Sequence, residues 1–196
     1  MSGLLVMTPM LVELLAVRRG LPQAAVVHSG VGAARSRAAA LRAERVPAAA
    51  VAVAGFCGGV AAGLRAGDVV VANELREHER VVACESAALA AALATEGVER
   101  VHAGPVACVD HVVRGPERDL LASEGAVAVD MESAWLLRAA AGRPFVVLRV
   151  VLDAPGPGPF GPAALAGAVA AWNALRRAAP ALDVWAGLYG RGAGVS

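Results

Sequence analysis

The stretch GAVAVDMESAWLLRAA, residues 125–140, sets two carboxylates, Asp130 and Glu132, between an apolar run and a helical pattern. An acid at such a junction has a bland reading and a chemical one. Near a helix N-terminus it is stabilised by the macrodipole, which explains any single case. At the carboxyl end of a buried strand it lies where α/β sheets bind ligands, and there a carboxyl group can pass a proton. The chain repeats the placement. TPMLVE, residues 8–13, puts Glu13 in the first helical turn after an apolar run; Asp110 and His111 follow the run 101–109; Asp153 follows 144–151. Two glycine-rich turns fall at the same ends: HSGVGAARS, with Gly30 and Gly32, and AGFCGGVAAGLRAGD, with Phe56, Cys57 and Gly58. Singly, the glycines pack a helix on a strand and Asp153 opens a turn. Jointly they mark one functional edge. His111 beside Asp110 reads as a structural hydrogen-bonder rather than a catalytic pair.

The elements that must position these residues alternate. Short apolar runs predict strands at 3–8, 25–28, 49–54, 68–72, 80–84, 101–109, 126–130 and 144–151. Helical patterns cover 10–19, 32–44, 86–96, 116–123, 132–141, 162–178 and 182–189. The reading is an α/β three-layer sandwich, with a central, mostly parallel mixed sheet flanked by helices. It forms one domain over 1–190 with a disordered tail, 191–196, and a Pro-rich loop at 154–162. Strands built on Ala and Val suit a sheet buried on both faces.

Composition excludes several classes. All 18 basic residues are Arg, against 17 acidic ones, and no basic stripe forms, which argues against nucleic acid as a partner. Cys57, Cys84 and Cys108 make no CxxC pair and no metal-ligand cluster, so no metal is expected and a reducing, cytoplasmic setting is. Pro9 and Glu13 interrupt the apolar N-terminus, no positive segment precedes it, and it reads as strand and helix, not a signal peptide. No run reaches the ~18–20 uninterrupted apolar residues of a membrane span.

Four segments, in order, resemble the purine nucleoside phosphorylase/nucleosidase superfamily. AVAVDMESAWLLRAA resembles its A-x-E-M-E-x-A-A segment, and AGFCGGVAAGLRAGDVVVAN its G-x-A-G-G-L-x-x-x-L-x-x-G-D-x-V segment. RPFVVLRVVLDAP resembles its P-F-x-x-x-R-x-x-S-D strand, and SGVGAARSRAAA its G-x-G-x-x-x-A turn. The nearest subgroups are the methylthioadenosine/S-adenosylhomocysteine nucleosidases and the hopanoid-pathway enzyme that releases adenine from adenosylhopane. Asp130 and the Pro-rich tail lean toward the latter.

The resemblance implies cleavage of a purine N-glycosidic bond with no organic cofactor. It makes Asp153 the acid at the purine N7 and Glu13 the glutamate that activates water. Glu132 would hold the ribose hydroxyls, Met131 would lie against the ribose, and Phe56, Cys57, Gly58, Val112 and Val113 would line the base side. A homodimer or higher oligomer is implied as well. Asp130 is expected to point elsewhere or to cap the helix. Phe56 stands where bacterial phosphorylases carry a phosphate-binding Ser, and Val53 where they carry an Arg, so hydrolysis is favoured over phosphorolysis. The Gly30–Gly32 turn, which could hold an anion such as a phosphate co-substrate, argues the other way. Leu152 replaces the Ser that precedes the acid, which puts the acid's geometry in question and leaves a catalytically impaired binding module as a further alternative.

Overall fold

The computed structural model describes residues 3–153 and 162–190. The Pro-rich loop at 154–161 and the tail at 191–196 lie outside the described residues. The chain runs β1 (Leu4–Thr8), α1 (Leu11–Gly20), β2 (Ala25–His28), α2 (Ala33–Ala43), β3 (Ala50–Gly59), β4 (Val69–Glu77) and β5 (Arg80–Ala83). It continues with α3 (Ala87–Thr95), β6 (Val101–Cys108), α4 (Pro116–Ser123), β7 (Ala128–Asp130), α5 (Ser133–Leu136), β8 (Phe145–Asp153), α6 (Pro162–Ala178) and α7 (Pro180–Gly190).

These strands form one mixed sheet of eight, ordered β2-β1-β3-β7-β6-β4-β5, with β8 between β3 and β4. β8 runs parallel to β3 and antiparallel to β4. β7 pairs with the far end of β3 and with β6, which pairs with β4. The strands β3, β8, β4, β6 and β7 therefore close on themselves, so the carboxyl ends of β3, β7 and β8 converge.

Alternation along the strands divides the core in two. Leu4, Val6, Ala52, Ala54, Leu148 and Val150 face α1, α3, α6 and α7. Leu5, Met7, Val51, Val53, Val147 and Val151 face α2 and α5. Both faces are covered, as the continuous apolar runs require.

Several predicted boundaries shift by one or two residues, and three elements change more. β3 extends to Gly59 and β4 to Glu77, well past the apolar runs. The glycine-rich end of β3 stays extended because β8 and β7 satisfy its backbone. The polar end of β4 is held by the β5 hairpin. The single helix expected over 132–141 is a short α-helix followed by a 3₁₀ turn, Leu137–Ala140. Ala141 then adopts a left-handed φ of 47°, which ends it.

Trp185 of α7 has no exposed surface and meets Tyr189 edge-on at 5.4 Å. Among the described residues its indole N–H is buried without a hydrogen-bond partner. Trp185→Phe, which removes that donor and keeps an aromatic ring, is expected to change stability by less than about 1 kcal/mol. Trp185→Ala should cost about 3–5 kcal/mol. Urea unfolding midpoints at unchanged slope would measure both.

Candidate active site

A cavity of about 310 Å³ opens where β3, β7 and β8 end. Met10 and Glu13 of the β1–α1 junction, Phe56–Gly58 of β3, Val112 and Val113 of the β6–α4 loop, Met131 and Glu132 after β7, and Asp153 of β8 all line it. The structure thus brings together every residue expected at the site, apart from the Gly30–Gly32 turn, whose Val31 reaches the cavity wall. A broader groove of about 1030 Å³ runs past α2 and α5. Its charges pair with each other, Arg138 with Glu44 at 2.8 Å and Arg37 with Glu77 at 3.5 Å, and among the described residues no unpaired acids converge there.

Beneath the cavity lies a residue that sequence reasoning passes over. Arg149 of β8 is fully buried. Its Nη2 lies 2.6 Å from Asp130 Oδ2 and 3.7 Å from Glu132 Oε2, and it donates to Ser133 Oγ at 2.9 Å. Nη1 donates to the Phe56 carbonyl at 3.4 Å. Burial pulls the guanidinium pKa down, but Asp130, Glu132 and Glu13 outweigh it and hold the pKa above its ordinary value. The signal was present: a lone charge inside the apolar run FVVLRVVL. Asp130 does cap the following turn. Its Oδ1 accepts from the amides of Glu132 at 3.3 Å and Ser133 at 3.2 Å, and its Oδ2 accepts the Ser133 hydroxyl.

Glu13 is 1% exposed. It accepts from the amides of Met10 and Phe56, each at 2.6 Å. Burial raises its pKa to about 7, and Arg149 and the two amides only partly offset this. Burial likewise raises Glu132, against the pull of Arg149. Glu132 Oε1 accepts the Gly32 amide at 3.1 Å. The anion served by the glycine turn at Gly32 is therefore the chain's own carboxylate.

Gly55, also missed, allows the crowding. A Cβ there would lie 2.6 Å from Glu13 Oε1 and 2.7 Å from Arg149 Nη1. Burial pushes the Cys57 thiol well above its usual range, which makes it a packing residue rather than a nucleophile. Val113 is buried, whereas Val112 is 62% exposed at the cavity mouth. His111 hydrogen-bonds Asp110 at 3.0 Å and Glu117 at 2.8 Å, which fits a structural role. Asp153, on the end of β8, pairs with Arg118 of α4 at 2.7 Å. Among the described residues, no group of three or more His, Cys, Asp or Glu could hold a metal, and no helix is long and apolar enough to cross a membrane.

Comparison with known proteins places this geometry. Residues 16–182 match the model of the phosphorylase superfamily, and the chain belongs to that superfamily of enzymes. No curated protein sequence matches the chain. The fold is shared with solved nucleosidases at low identity. A putative 5′-methylthioadenosine/S-adenosylhomocysteine nucleosidase from Francisella philomiragia superposes with a TM-score of 0.75 at 20% identity, covering 94% of this chain and 98% of its own. S-adenosylhomocysteine nucleosidase from Streptococcus pyogenes gives 0.72 at 23%, covering 93% and 94%. Futalosine hydrolase of Helicobacter pylori gives 0.74 at 19%, covering 93% and 96%.

Arg149→Met would leave Asp130, Glu132 and Glu13 buried without their cation. A loss of about 3–5 kcal/mol is expected at pH 8. The deficit should shrink toward pH 5 as Glu13 and Glu132, both raised by burial, take up protons, which urea unfolding at the two pH values would show.

Proposed function

We propose that this protein hydrolyses the N-glycosidic bond of an adenosine-derived nucleoside and releases adenine. The observation that carries hydrolysis is where the amide donors go. A phosphate co-substrate needs N–H groups facing it. Here the Phe56 amide is given to Glu13 and the Gly32 amide to Glu132. Phe56 and Val53 add no side-chain donor.

In this reading Glu13, with a pKa near 7, takes a proton from water as the water oxygen bonds to C1′ of the sugar. The C1′–N9 bond breaks and its electron pair leaves with the purine, which takes a proton from Asp153 at N7. Glu132 holds the ribose hydroxyls, and its charge stabilises the oxocarbenium character that develops at the sugar. Met131 packs on the ribose, and Val112 and Val113 sandwich the base. The 5′ substituent is of the methylthio, homocysteinyl or hopanyl kind. The open mouth, where Val31 is 42% exposed and Val112 62%, accommodates an apolar group. A homodimer or higher oligomer would also cover that rim.

The test is base release, followed by chromatography, from adenosine, methylthioadenosine, S-adenosylhomocysteine, inosine and an adenosyl-lipid, each with and without phosphate. Adenine is expected without phosphate. Release only with phosphate would establish a phosphorylase, and tight binding without release an impaired module. Glu13→Gln should lower kcat by about 10²–10⁴-fold. Because Glu13 must be ionised to act as the base, kcat/KM should rise with pH through a limb centred near 7. A profile flat between pH 5.5 and 8.5 would remove Glu13 from that role.

A further inference from the structure

The acid assigned to the leaving group reaches the cavity in an unusual way. Cys57 pairs with Val151, but Gly58 pairs with Asp153, so Leu152 is the extra residue of a β-bulge. A bulge re-aims the side chains around it. Leu152 has no polar atom with which to orient the acid. Arg118 stands in that place. Its Nη2 donates to Asp153 Oδ2 at 2.7 Å and to the Asp153 carbonyl at 3.4 Å. Among the described residues Oδ1 has no hydrogen-bond partner.

The surroundings are built around this contact. The Arg118 side chain is only 16% exposed, although α4 has no buried residue. A Cβ at Gly58 would lie 2.7 Å from Arg118 Nη2 and 3.3 Å from Asp153 Oδ1, so a side chain there would press on the pair where it now stands. The hydrogen bond from His111 to Glu117 fixes the start of α4 one residue earlier.

We propose that Arg118 is the positioning residue for the leaving-group acid. It occupies Oδ2 and thereby turns Oδ1 toward the purine. The inference rests on the hydrolase reading above and acts through Asp153, not through the sugar side of the site.

The experiment compares the protein with Arg118→Ala, Arg118→Lys, Asp153→Asn and the Arg118→Ala/Asp153→Asn pair. The substrates are a purine nucleoside that the protein cleaves and p-nitrophenyl riboside, whose phenolate leaves without a proton. On the nucleoside, Arg118→Ala should lose about 10²-fold in kcat, with KM within about threefold, while the nitrophenyl riboside rate holds within about twofold. Arg118→Lys should recover part of the loss, and the double variant should be no worse than Asp153→Asn. Unchanged nucleoside turnover, an equal loss on both substrates, or additive losses would overturn the inference. If no substrate is cleaved, the hydrolase reading itself falls, and adenine affinity by calorimetry decides. Equal, non-additive weakening by Arg118→Ala and Asp153→Asn supports the positioning role, and any other pattern overturns it.

Discussion

A single guanidinium in the middle of the sheet organises this molecule. Arg149 is fully buried on β8, and an isolated charge there would be prohibitively costly. Three carboxylates from two other parts of the chain, α1 and the β7–α5 junction, compensate it. Asp130 pairs with it directly, Glu132 approaches it, and Glu13 lies across Gly55 from it. The arginine is what lets Glu13 and Glu132 be buried at the cavity wall. Removing water strengthens every charge–charge and charge–dipole interaction inside the cavity.

The same arrangement puts three carboxyl groups in three different settings. Glu13 is raised to about 7 by burial and can exchange a proton near neutrality. Asp130 is spent on Arg149 and on capping the turn that begins α5. Asp153 stands at the solvent side, half exposed, and pairs with Arg118. Backbone donors are allotted as carefully, since those of Met10, Gly32 and Phe56 all end on the chain's own carboxylates. Those three N–H groups are therefore not free to face a bound anion.

Much of the fold was legible. Strand–helix alternation fixes the layers, because an apolar run covered on both faces has few other ways to be buried. The ends of β3 and β4 were not, since Gly58 and the polar NELRE segment carry no apolar signal and stay extended only through pairing with β8, β7 and β5. Closure of the sheet through β7 was equally invisible, because pairing partners are not encoded in any one strand's pattern.

The sequence by itself determined that Glu13, Glu132 and Asp153 sit at strand ends, because strand periodicity and helix starts are local properties. It also determined that one charge, Arg149, falls inside a core strand, although nothing local says what would neutralise it. Only the tertiary structure decided the rest. It joined Arg149 to acids 17 to 136 residues distant in sequence, turned the Gly32 amide inward to Glu132, and set Arg118 against Asp153. Those contacts depend on which surfaces the closed sheet brings within hydrogen-bonding distance, and that distance is a property of the packed chain, not of its local sequence.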